Sequence, residues 1–222
     1  MRSIPPALGF SALVAVALIS GPRSVQADFS LEFSTPAYTG TSPTSTPPWA
    51  TASFESIDPD TVRLTIDSSL DVASEFLTEF YFNFDPALDL TALDIEFVSG
   101  VEAGSIDQDE DGINVPGGLS ADIVIDYPNQ PASRLNGTKQ SVYDLNYSGA
   151  GTFNAESFSF LTTGNRAFLA VFHVQGIPTG AGSGHVAGTP VNVVPEPSTL
   201  ALSGIAAMAG LGIASRRLRR RG

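Results

Sequence analysis

The 222-residue chain has no cysteine, two histidines (His173 and His185), one tryptophan (Trp49) and two methionines. Without cysteine there is no disulfide framework, no thiolate metal site and no cysteine nucleophile, and two histidines are too few for an all-histidine metal cage within one chain. Basic residues are scarce as well. Of eleven Lys and Arg, Arg2 and Arg23 stand at the start and Arg216, Arg217, Arg219, Arg220 and Arg221 at the end, which leaves Arg63, Arg134, Lys139 and Arg166 between them. From Asp28 to Pro195 there are 22 acidic residues against four basic ones, a net −18. A body of that sign repels a phosphate backbone, so no nucleic-acid partner is expected. The sequence also lacks a sustained helical period, a Walker loop and a G-x-G-x-x-G turn after a strand. Nor does it hold a nucleophile elbow around Ser183, because Ala181 and His185 occupy the two positions that G-x-S-x-G needs as glycine. No enzyme is expected, and a secreted hydrolase ranks third among the functional readings.

What is present divides the chain into three. Arg2, an apolar run from Ala7 to Ile19 and the close Val25-Gln26-Ala27 make the plan of a secretory signal peptide over 1–27, with signal peptidase cutting after Ala27. At the other end, Leu200–Ala214 is apolar and the arginine cluster follows at once. With its flanking Ser and Thr it offers about 18 residues and roughly 27 Å of helix, just short of a hydrocarbon core of about 30 Å. A single transmembrane helix over about 198–215 is expected. Arg216, Arg217, Arg219, Arg220 and Arg221 resist translocation and hold it, with the C-terminus in the cytoplasm and the body outside.

Directly before that helix stands Val194-Pro195-Glu196-Pro197-Ser198. Two prolines fix φ and stop helix propagation, which leaves an extended segment at the membrane face. Pro195-Glu196-Pro197, one short apolar helix and a terminal arginine cluster, in that order, resemble the PEP-CTERM sorting signal of exported proteins in Gram-negative bacteria. The resemblance implies that residues 191–222 are a sorting signal and that a membrane-embedded exosortase recognises Pro195, Glu196 and Pro197 and removes the tail. It further implies an inner-membrane-anchored precursor whose body passes to the cell surface or extracellular matrix. Within the body, Phe84-Asp85-Pro86, Val98-Ser99-Gly100, the acidic segment ending in Asp111-Gly112, and His173-Val174-Gln175-Gly176 followed by Gly182-Ser183-Gly184 are similar to fragments of extracellular domains that carry the same tail and have no assigned chemistry.

The body, 28–190, reads as one all-β domain, an antiparallel two-sheet β-sandwich flanked by the N-terminal signal helix and the C-terminal transmembrane helix. Short runs of β-formers between Gly, Pro, Asn and Asp predict strands at 29–34, 52–57, 61–67, 75–84, 93–98, 121–127, 141–147, 157–162 and 167–175. Leu64 and Ile66, then Phe76, Phe80, Phe82 and Phe84, then Phe168, Ala170, Phe172 and Val174 share a parity within their strands and are expected on one face. Thr39–Thr51, with Trp49, and Gly176–Pro190 read as loops, and Val191–Val194 as a last strand or the lead-in to the tail.

Candidate chemistry is sparse. In Asp107-Gln108-Asp109-Glu110-Asp111-Gly112, carboxylates at alternate positions before a glycine are a way to gather hard oxygen ligands, so Asp107, Asp109 and Asp111 are candidate calcium ligands in a β-loop. An EF-hand does not follow, because Gly118 stands where the bidentate Glu belongs. The competing reading is a solvated acidic turn. No cofactor is expected, with calcium the one candidate. His173 and His185 could ligate a metal together, but no spacing rule fixes their distance, and a hydrogen-bonded structural His plus a loop His is the better expectation. Trp49, Tyr38, Tyr127 and Tyr143 are candidates for a sugar-stacking platform, with packing the better reading. The function expected is a structural or adhesive surface protein associated with exopolysaccharide. The alternative is a carbohydrate-binding module, calcium-dependent in one form.

Overall fold

The computed structural model describes residues 29–191. Ala27, the tripeptide Pro195–Pro197, the apolar segment at about 198–215 and the five terminal arginines lie outside the described residues. Among the described residues there are thirteen strands: β1 (Phe29–Phe33), β2 (Thr39–Gly40), β3 (Ala50–Asp58), β4 (Thr61–Ser68), β5 (Phe76–Phe82), β6 (Leu93–Gly100), β7 (Ser105–Val115), β8 (Leu119–Asp126), β9 (Gln140–Tyr147), β10 (Thr163–Gly164), β11 (Ala170–Gln175), β12 (Ser183–Ala187) and β13 (Thr189–Val191). They form two antiparallel sheets. One runs β13-β1-β3-β4-β9-β6; the other runs β10-β8-β5-β11-β12-β2, with β7 also paired to β8. No helix among them is long and apolar enough to cross a membrane.

Alternation builds the first sheet. In β4, Val62, Leu64 and Ile66 are buried while Thr61, Arg63, Thr65 and Asp67 face outward, the period-two pattern of a half-buried strand. On the outer side Arg63 meets its register partner Asp144 of β9 in a two-point contact, Nε to Oδ1 at 2.8 Å and a terminal nitrogen to Oδ2 at 3.0 Å. The inner faces meet through aromatic rings: Phe33 of β1 packs edge-on to Phe172 of β11 at 4.5 Å, and Phe54 of β3 lies 5.8 Å from Phe82 of β5. Such pairs add about 0.5–1.5 kcal/mol each beyond the area they bury. Both sheets contribute to this one apolar core.

The second sheet is buried on both faces at its centre. Phe80, Phe82, Ile123, Ile125 and Phe172 point into the main core, while Tyr81, Val115, Leu119, Ala121, Val124 and Val171 form a smaller cluster on the outer side, covered by Tyr38, Ile113 and Phe168. Strict parity fails in β5 and just before β11, among other places. Opposite the step His173 to Val174 the partner strand advances from Glu79 to Leu77, so Thr78 is an extra residue, a β-bulge in β5. Leu77 therefore takes the core position, and Phe76 lies outside the core cluster under the Arg134 guanidinium, 3.9 Å from its ring centre. Phe168 precedes β11 and joins the outer cluster against Tyr38, while Leu169 packs on the core.

Several loop or strand expectations change. The run 157–162 is not a strand: Asn154 Oδ1 accepts from the Glu156 amide and Ser157 Oγ from the Asn154 amide, a capping box that closes a 3-10 turn at Ala155–Phe158, although Phe158 still fills the core. Trp49 is buried, its Nε1 donating to the Ser45 carbonyl at 2.7 Å. The glycine-rich stretch after β11 contains β12 and β13.

Candidate functional site

One polar row crosses the outer face of the second sheet. Register partners run from Thr39 (β2) to His185 (β12), His173 (β11), Glu79 (β5), Asp126 (β8) and Ser105 (β7). Side chains directly opposite across antiparallel strands have Cβ atoms about 4.5–5.5 Å apart, so the row forces these groups into contact. Glu79 and Tyr81 share a face, as do His173 and Val171, which sets the row beside the smaller apolar cluster.

The bulge gathers its middle. Thr78 and Glu79 both reach His173: Glu79 Oε2 lies 2.7 Å from Nδ1, Thr78 Oγ1 lies 3.0 Å from the same nitrogen, and the hydroxyl can donate to the His173 carbonyl at 3.2 Å. Bulges characteristically re-aim side chains in this way. The imidazoles of His173 and His185 stack at 4.2 Å with 6° between their planes. His185 is 8% exposed, and its Nε2 is buried with no hydrogen-bond partner among the described residues. One ligand atom from each of Glu79, His173 and His185 lies within 4.8 Å of the others.

Electrostatics follow from burial and these contacts. The hydrogen bond from His173 holds the Glu79 carboxyl below its ordinary value against the opposing effect of burial. Burial, then the positive charge His173 can carry, pulls His185 down to about 4, so its imidazole is neutral with a free lone pair at neutral pH. Burial pushes Tyr38 up to about 12 against Arg166, and burial followed by the Glu79 charge raises Tyr81. Asp126 is raised by burial and by its acidic neighbours Glu79 and Asp107, with the Ser105 hydrogen bond opposing.

The acidic segment is a strand with a wide irregularity instead of a turn. Asp107 pairs with Val124, and four residues, 109–112, bulge out before Ile113 pairs with Ala121. Asp111 sits at φ +52°; its amide donates to Asp122 Oδ1 at 2.7 Å and its Oδ1 accepts from Thr163 at 2.9 Å. Among the described residues, the grouping whose ligand atoms converge is Glu79, His173 and His185, not Asp107, Asp109 and Asp111. Of the aromatic platform candidates, Trp49, Tyr127 and Tyr143 are in the main core and only Tyr38 keeps an exposed edge. His173 points away from Phe172 and Val174, as its parity requires, but His185 is a buried strand residue and not a loop one. Glu79 had no mark in the sequence beyond an outward place between apolar neighbours, because the register of β5, β11 and β12 makes it a partner.

The last described strand, β13, ends at Val191. Residues 193–221 match the PEP-CTERM protein-sorting motif. The motif supports an exported protein, sorted by an exosortase-type system from a membrane-anchored precursor. No curated protein and no solved structure gives a significant match to the chain.

Proposed function

We propose that this chain is a non-enzymatic surface or matrix protein whose β-sandwich is displayed by its sorting tail and serves a structural or adhesive role in the exopolysaccharide layer. The observation that carries the reading is the pairing of β1 with β13, Ser30 opposite Val191, which puts the first and last strands of the domain side by side at one sheet edge. A domain tied at one pole leaves the rest of its surface free for the surrounding polymer. The signal segment before β1 and the membrane helix after β13 then act as two adjacent tethers in the precursor. The acidic body keeps such a protein soluble and lets divalent ions bridge it to acidic polysaccharide. Signal peptidase and the exosortase act on it as processing enzymes.

The test is fractionation of the source cells expressing the wild-type chain or Glu196→Ala. Wild-type protein is expected in the surface and matrix fractions and to stay with washed matrix polysaccharide, whereas Glu196→Ala accumulates in the inner membrane at precursor mass. Wild-type protein that washes freely from the polysaccharide would overturn the matrix role, and normal sorting of the variant would overturn recognition through the tripeptide.

A further inference from the structure

We propose that Glu79, His173 and His185 form a binding site for a divalent transition-metal ion of the zinc and copper class on the outer face of the second sheet. Three neighbouring strands deliver the three groups in register, and a bulge in the central one turns Glu79 toward His173. Two imidazole nitrogens and one carboxylate oxygen are the donor set that such ions prefer and that calcium and magnesium do not. Ligands on one zinc-sized ion are about 3.4 Å apart in a tetrahedral set with bonds of about 2.0–2.2 Å, so groups about 4.8 Å apart close on it when each moves by about 0.7 Å and the two imidazoles, parallel within 6°, turn out of their stack so that both ring planes meet the ion. The present maximum is 4.8 Å.

Independent of that convergence is the orphan nitrogen. His185 is more than nine-tenths buried, yet Nε2 has no partner among the described residues, and buried polar atoms are rarely left so without a water or ion to meet them. The pair His173 and Glu79 already satisfies itself; His185, stacked flat on His173, is the group that such an arrangement would not need. Thr78, at the His173 nitrogen and carbonyl, and Tyr81, whose hydroxyl interacts with Glu79, are placed to orient the ligands. Three protein ligands leave a coordination position for water. The ion would join β12, which borders the two-residue β2, to β5 and β11 and act as a clamp on that flank of the sheet.

The experiment uses the mature protein purified without a histidine tag and stripped with a chelator, and reads binding of zinc by calorimetry and of cobalt by its visible absorption. One equivalent of zinc is expected, with a melting temperature raised by several degrees and a cobalt spectrum carrying nitrogen-ligand bands that zinc abolishes and calcium does not. His185→Gln and Glu79→Gln should each weaken zinc at least tenfold. An acidic-loop variant, Asp109→Asn, should bind zinc as wild type does. Absence of saturable micromolar zinc binding by the wild-type protein, or unchanged affinity in both ligand variants, overturns the site. Should His185→Gln fail to fold, Glu79→Gln and the wild-type cobalt spectrum decide the matter. A purely structural stack of two histidines and a carboxylate would lower the melting temperature in the variants while leaving it insensitive to metal.

Discussion

Glu75 shows how much a single buried charge contributes here. Its carboxylate is fully buried and accepts four hydrogen bonds, from the amide and hydroxyl of Thr44 at 2.6 and 2.7 Å and from those of Ser45 at 3.1 and 2.5 Å. Burial alone would push the carboxyl up; the Ser45 and Thr44 hydroxyls and amides together outweigh it and hold the group below its ordinary value of 4.5. A depressed folded value stabilises the fold above the unfolded one, and that contribution is lost as the pH falls below about 4.5 through the lower folded value. Glu75→Gln is therefore expected to destabilise the protein at pH 7 by about 2 kcal/mol, or about 4–8 °C, the range for hydrogen bonds to charged groups in a domain this size. The gap between variant and wild type should narrow below pH 4.5 in thermal unfolding; a gap that stays constant to pH 3 would exclude the ionised carboxylate as its source. None of this was visible in the sequence, where Glu75 is one acid among 23, since its partners sit in a segment that reads as a surface loop. Trp49 was hidden for the same reason: Pro and Thr around it signal a loop, but not that the loop folds back onto the core.

Most elements could be read from the sequence and their irregularities could not. Period-two alternation located β1, β3, β4, β5, β6, β8, β9 and β11, because each has apolar residues that only a core face can satisfy. The two-residue edge strand β2 and its neighbour β12 were missed, since they are held by backbone approach and not by side-chain pattern. Gly184 explains why: a Cβ there would lie 2.0 Å from the Thr41 carbonyl oxygen, and one on Gly40 would lie 2.4 Å from that of Ser183. Glycine lets β2 and β12 close on each other, and a strand rich in glycine reads as a loop. Gly184→Ala is expected to cost about 1–3 kcal/mol by forcing β2 outward, and to weaken zinc binding at the adjacent His185. Hydrogen exchange at the Thr41 amide, which donates to the Ser183 carbonyl at 2.9 Å, reads the displacement directly; unchanged protection there would contradict the close-packing account. The bulge at Thr78 was equally out of reach, because nothing in F-L-T-E-F-Y-F says which residue the partner strand will skip. It decides both that Leu77 and not Phe76 is core and that Glu79 faces a histidine.

For the whole molecule, charge segregation and strand order agree. Acidic residues fill the body and arginines the terminus, while β1 and β13 bring both ends of the domain to one edge. The sorting motif begins two residues after the last strand. The tail could be read from sequence alone because its information is linear: a tripeptide, an apolar run and a cluster of cations in fixed order. The metal-capable cluster draws on residues 79, 173 and 185 and exists only once the sheet has formed. Removal of the tail is the event on which the surface reading depends, and the intact mass of the protein isolated from the outside of its own cells tests it most directly. The account predicts a chain that begins at Asp28 and ends near Pro195-Glu196-Pro197, without Arg216–Arg221; a mature chain that retains the arginine cluster would contradict it.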